Sequence, residues 1–266
     1  MEIWDKIKGK QYIQKINIQA WRVVEDQSRS TTRKLVDTSA EHDVLEELIE
    51  KNKPKIIFYH DEQYFRGLHY LLSTPFRYPP LKYGSRFGSR MERSLLYASL
   101  TLDTALSEIA FYKLSFLHSS EGNISGNTTT YTAFRFNIVS DKFIDLSTSP
   151  FNNYSNEISS KTHYRHSQKL GNDMRQADIE CFQYTCARDP QAGENLSVFT
   201  PKCLQNNSRL EKTFQSIKAY YTKEIVEFSY PHLINRPIDK FDLNMFLVNG
   251  ALPQPADCYP DVTSAT

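Results

Sequence analysis

Between residues 179 and 230 four extended segments follow one another closely: "IECFQYT", "NLSVF", "TFQSIKAYY" and "EIVEFSY". The first two are joined by the polar turn "CARDPQAGE", the last two by Thr222-Lys223. Connections this short leave no room for the crossover that parallel neighbours need, so the strands follow in hairpin-like succession. Further strands are expected at "SLLYAS", "YTAFRFNIV" and "FIDLS", with helices at "LDTALSEIAFYKLSFL" and "YRHSQKLGNDMRQA" between them. In the first helix Asp103 can act as cap, and Ala105, Leu106, Ile109, Ala110 and Lys113 mark one stripe. Glu108 falls at the edge of that stripe. The pattern predicts a mixed α+β fold with a largely antiparallel sheet, not a doubly wound parallel one.

Residues 1–60 read as an N-terminal, helical accessory segment packed on a main domain of residues 61–250, with an irregular tail at 251–266. The helix signal is "DTSAEHDVLEELIEKNKP": Thr38 and Glu41 have capping-box spacing, and Val44, Leu45, Leu48 and Ile49 form one stripe. "KIIFYH" is expected as a strand and "YFRGLHY" as a second extended piece. "STPFRYPPLKYGSRFGS" is a loop of fixed turns, since Pro, Gly and Ser dominate it.

Bulk charge excludes some functions. Among 266 residues, 32 basic against 31 acidic side chains leave a net charge of +1, so nucleic acid is not expected as a partner. No run approaches the ~20 apolar residues of a membrane span. The N-terminus lacks the apolar core of a secretory signal, so the expected location is cytoplasmic, with export as a specialised effector left open. Cys181, Cys186, Cys203 and Cys258 form no CxxC pair and have no His at zinc spacing, so no metal is expected. GxGxxG, GxxxxGK[ST] and GxSxG motifs are all absent.

Seven residues remain with chemistry to offer. Arg66 in "YFRG" and Arg86 in "GSRFG" sit among small neighbours, where a guanidinium can clamp a phosphate; solvated or salt-bridged arginines are the plainer reading. Tyr97 is either a strand tyrosine or a flat wall for a stacked ring. Glu108 is either a helix-surface carboxylate or one that faces developing positive charge. His163 and His166 with Cys186 form a conceivable thiol nucleophile pair, against which stands the packing role of most free cysteines.

Taken in order, "WRVVEDQ", "TTRKLVDTSAEHDVLEELIEKNKP", "FRYPPLKYGSRFGSR", "LLYASLTLDTALSEIAFY" and "YRHSQKLGNDMRQADIECFQYTCARDPQAGENLSVFTP" resemble the RES-domain family from about residue 21 to about residue 203. The resemblance implies a fold like that of ADP-ribosyltransferases, and the toxin half of a toxin–antitoxin pair. NAD is implied as substrate, with no resident cofactor. The family's two arginines, tyrosine and glutamate fall on Arg66, Arg86, Tyr97 and Glu108. Its usual serine falls on Cys186, and its asparagine on Asn195. The implied activity is cleavage of the nicotinamide–ribose bond by water or phosphate. Transfer of ADP-ribose to a protein target and a non-catalytic NAD-binding module are the alternatives. A cognate antitoxin is the implied partner, and self-association into a homo-oligomer is left open.

Overall fold

The computed structural model describes residues 2–26, 36–58, 60–121, 126–205, 207, 209–233 and 235–253. Its strands are β1 (Gln14–Glu25), β2 (Leu96–Ser99), β3 (Asn127–Asp145), β4 (Cys181–Thr185), β5 (Glu194–Val198), β6 (Gln215–Tyr221), β7 (Ile225–Ser229) and β8 (Asp239–Asp242). The helices are α1 (Ile3–Ile7), α2 (Ser39–Asn52), α3 (Tyr70–Ser73), α4 (Leu102–Ser119), α5 (Ser155–Ile158) and α6 (Arg165–Gln176). The expected α+β class holds. Strand order is β1-β2-β5-β4-β3-β6-β7-β8, and only β3–β4 among the pairings is parallel. The β4–β5 and β6–β7 pairs are antiparallel, as their short connections require.

β3 organises the sheet. "YTAFRFNIV" and "FIDLS" are not separate strands but parts of one 19-residue strand. Its first half pairs with β6 and its end with β4, while β1 runs along its other edge from Glu25↔Tyr131 to Gln14↔Phe143. Because β1 also touches β2 at Trp21↔Ser99, strands β1, β3, β4, β5 and β2 close into a ring. Residues 1–60 thus supply a strand of the sheet itself as well as α1 and α2.

Three apolar clusters fill the molecule. Leu106, Ala110, Phe111 and Leu114 of α4 pack on Ile217 and Ala219 of β6 and Val226 and Phe228 of β7. Phe134, Phe136 and Ile138 of β3 meet Leu96, Leu196 and Val198. Leu170 and Met174 of α6 meet Phe87, Ile144, Phe182 and Tyr184. The cap of α4 is Thr101, whose Oγ1 accepts from Thr104 N at 3.1 Å; Asp103 lies in the first turn and pairs with Arg236 instead.

The upstream expectations fare unevenly. The capping box of α2 forms: Thr38 Oγ1 accepts from Glu41 N, and Glu41 Oε2 accepts from Thr38 N at 2.9 Å. Its apolar stripe is not buried, with Val44 and Leu48 more than half exposed. Residues 55–58 of "KIIFYH" are irregular, Ile57 is 66% exposed, and among the described residues they pair with no strand; Tyr59 lies outside the described residues. "YFRGLHY" is a 3-10 turn at Glu62–Tyr64, Gly67 at φ +74° and the start of α3. The tail from residue 254, Cys258 included, lies outside the described residues.

Candidate active site

Tyr97, Glu108 and Arg86 come from three elements but line one cavity of about 250 Å³, together with Arg22, Tyr112, Tyr184 and Asn195. β2 and β5 are paired with Tyr97↔Ser197 and Ser99↔Asn195 in register. α4 leaves β2 almost directly and lays Glu108 beside that pair. The turn after β4 is pinned beneath it: Ser107 Oγ donates to Arg188 O at 2.5 Å, and Thr104 Oγ1 to Asp189 Oδ2 at 2.8 Å.

Glu108 is held by one oxygen. Oε1 accepts from Asn195 Nδ2 at 2.9 Å and from Cys186 Sγ at 3.1 Å, and among the described residues no donor reaches Oε2. Asn195 is itself fixed, because its Oδ1 accepts from Ser99 Oγ at 2.7 Å. Ser99 and Asn195 are both buried, so this network is shielded from water. The result is a carboxylate with a defined orientation and one oxygen uncommitted.

The cations are arranged differently from the sequence expectation. Arg86 is buried on the tight hairpin closed by Ser85↔Gly88. Its Nη1 donates to Ser160 O at 2.7 Å and its guanidinium lies 4.7 Å from the Tyr164 ring centre. Burial works against its charge, but the phenols of Tyr164 and Tyr184 and the Glu108 carboxylate outweigh that and raise its pKa. Arg66 does not line the cavity; its side chain is 79% exposed and stands 4.0 Å from Glu62. Arg22 of β1 lines the cavity instead, donating from Nη1 to Leu71 O at 2.7 Å, and burial lowers its pKa to about 10. Among the described residues neither Arg22 nor Arg86 forms an ion pair with a carboxylate. One buried and one half-buried cation without a carboxylate partner favour an anion from outside. The signal for Arg22 was an arginine inside the apolar, strand-like "WRVV"; only its strand partners show where it points.

Tyr97 has two duties. Its ring lines the cavity, and its hydroxyl accepts from Phe87 N at 3.0 Å and donates to Ser85 Oγ at 2.9 Å. It thus ties β2 to the hairpin that carries Arg86, and burial pushes its own pKa up to about 12. Tyr97→Phe leaves the Phe87 N–H without an acceptor, and is expected to destabilise the fold by about 1–3 kcal/mol, read as a lowered midpoint in urea.

Cys186 has no histidine partner among the described residues: it contacts Glu108, and its sulfur accepts from Arg188 N at 3.3 Å. His163 and His166 are exposed on the surface. Burial, reinforced by Glu108, pushes the Cys186 thiol well above its usual range. A thiol held neutral is a poor nucleophile. Here it is a weak donor to the carboxylate. Cys186→Ser, which supplies a stronger donor of similar shape, is expected to keep or raise activity; loss of all activity would instead indicate thiol chemistry.

These features define an α+β domain whose cavity combines one oriented carboxylate, two unpaired guanidiniums and a tyrosine wall. The RES domain matches residues 62–215, more than half of the chain, and the protein belongs to the RES-domain family. That membership is consistent with a toxin-like, NAD-related function. No curated protein matches the chain. Among the described residues no helix is long and apolar enough to cross a membrane.

Proposed function

We propose that the protein cleaves the nicotinamide–ribose bond of NAD, with water or phosphate as acceptor. The observation that carries this reading is Glu108, anchored through Oε1 and uncommitted at Oε2, in a cavity that also holds two unpaired cations. When the C1′–N bond breaks, its electron pair stays with the pyridinium nitrogen and nicotinamide leaves neutral. The leaving group needs no proton, so the second carboxyl group of an ordinary glycosidase is unnecessary. The ribose carries oxocarbenium-like charge, which a fixed carboxylate stabilises. Glu108 meets that requirement through Oε2, toward either C1′ or a ribose hydroxyl. Arg22 and Arg86 take the pyrophosphate, and Tyr97 forms the wall against which the nicotinamide ribose rests. Water attack releases ADP-ribose and a proton; phosphate attack releases the 1-phosphate of ADP-ribose.

The test is incubation of purified protein with NAD labelled in the adenosine half, following nicotinamide and the labelled product. Release of nicotinamide with label in a small molecule supports degradation. Label retained on protein favours transfer to a target. NAD binding without nicotinamide release over hours sinks the catalytic reading and leaves a binding module.

A further inference from the structure

Beside the cavity lies a second lobe of about 390 Å³, and Ser85, Tyr97 and Tyr112 line both. Its walls are of another kind. Tyr78, Pro79, Pro80, Leu81 and Tyr164 give it flat rings and apolar edges, where the first lobe has Arg22, Arg86 and Glu108. The hairpin Ser85–Gly88 stands at the junction, with Ser85 N donating to Gly88 O at 2.7 Å.

Charge in the second lobe is already committed. Arg93 reaches Asp61 Oδ2 from Nη1 at 2.6 Å and lies about 5 Å from the ring centres of Phe65 and Phe76. Glu92 accepts from Ser89 N at 2.7 Å and from Asn172 Nδ2 at 3.1 Å, with Arg175 Nε 3.8 Å away. Lys82 and Arg90, on the same loop, lie outside the lining, and Lys82 sits 5.1 Å over the Tyr83 ring.

From this contrast we infer that the second lobe takes the adenosine half of the dinucleotide and selects NAD over NADP, an inference that rests on the first lobe holding the nicotinamide ribose. With that ribose at Glu108 and the pyrophosphate beside Arg86, the chain of the substrate continues past the hairpin into the aromatic lobe. An adenine ring stacks on tyrosine and proline faces without base-specific hydrogen bonds. NADP carries one more phosphate, on the adenosine ribose. That phosphate enters a lobe whose arginine is bound to Asp61 and whose other charged lining group is the Glu92 carboxylate. An unpaired charge there is the means of rejection.

The experiment separates binding from chemistry. ADP-ribose and 2′-phospho-ADP-ribose are titrated calorimetrically into the full chain and into Tyr78→Ala, and kcat/KM is measured for NAD and NADP. Tyr78 is 43% exposed on the loop, so its truncation spares the core. ADP-ribose is expected to bind roughly tenfold or more tightly than its 2′-phosphate, and Tyr78→Ala to weaken it roughly tenfold, as the loss of one stacking face does. kcat/KM is expected to favour NAD by a similar factor. Equal affinity for the two ligands, failure of ADP-ribose to bind, or indifference to Tyr78→Ala overturns the inference. Discrimination in binding with no nicotinamide release from NAD overturns the proposed reaction and leaves the second lobe's role intact.

Discussion

Glu108→Gln is expected to lower nicotinamide release from NAD by roughly 10²–10³-fold, the usual loss when one well-placed transition-state group is removed. The folded state is expected to tolerate the change. Oε1 of Glu108 serves as acceptor for Asn195 Nδ2 and Cys186 Sγ, and a glutamine oxygen can accept both. What disappears is the negative charge, and the group facing the substrate becomes a neutral amide. The two measurements are nicotinamide release by chromatography and the thermal midpoint by calorimetry. A variant that keeps wild-type turnover removes Glu108 from the chemistry; one that loses both activity and midpoint shows that the carboxylate was structural.

Gly171→Ala is expected to damage stability and activity together, from a position outside the cavity lining. Gly171 lies in α6, where alanine ordinarily gains up to about 1 kcal/mol. Here an added Cβ would stand 2.2 Å from Phe87 O, 2.9 Å from its carbonyl carbon and 3.1 Å from its Cα. Phe87 cannot retreat: it is fully buried, with ring centres 4.6 Å from Phe182 and 4.7 Å from Tyr184. Overpacking of this kind costs about 1–3 kcal/mol, or a fall of several degrees in Tm for a chain of this size. The backbone that must shift is the one that carries Arg86. A displacement of about 1 Å at a positioning group can cost ~10²-fold in rate, so turnover should fall further than stability alone explains. Gly67→Ala is the control. Gly67, unlike Gly171, has positive φ, and its Cβ would meet nothing within 4 Å, so a modest loss of stability with unchanged turnover is expected. An unchanged Tm in Gly171→Ala would contradict the packing described for α6.

Local signals were reliable where the chain satisfies itself locally. The β4–β5 and β6–β7 pairs follow from turn length, and α4 and α6 from apolar periodicity; the cap of α2 follows from Thr38 and Glu41. They failed where a distant partner decides. "KIIFYH" has the apolar content of a strand but pairs with none among the described residues, whereas β1, in which polar and apolar residues are mixed, becomes a strand along the length of β3. The stripe of α2 has helical periodicity without burial.

The site divides along the same line. Arg86, Tyr97, Glu108, Cys186 and Asn195 were legible as residues, and the resemblance put them in one pocket; the structure gathers all five around the Glu108 carboxylate or its cavity. Arg66 stood out in the sequence through its small neighbour and the resemblance, whereas Arg22 carried no such signal of its own. The difference is position: Arg66 is on an exposed turn, and Arg22 is on the strand that bridges β2 and β3. Sequence by itself therefore determined the class of fold, the three longer helices and the two hairpins, because periodicity and turn length act over a few positions; the reading of Glu108 as a site carboxylate came from the resemblance. Tertiary structure alone decided the closure of the ring through β1 and which arginine, Arg22 and not Arg66, lines the cavity beside Arg86. It also decided the commitment of Glu108 by one oxygen only. Each of these depends on groups many tens of residues apart, and long-range pairing is the quantity that no local pattern encodes.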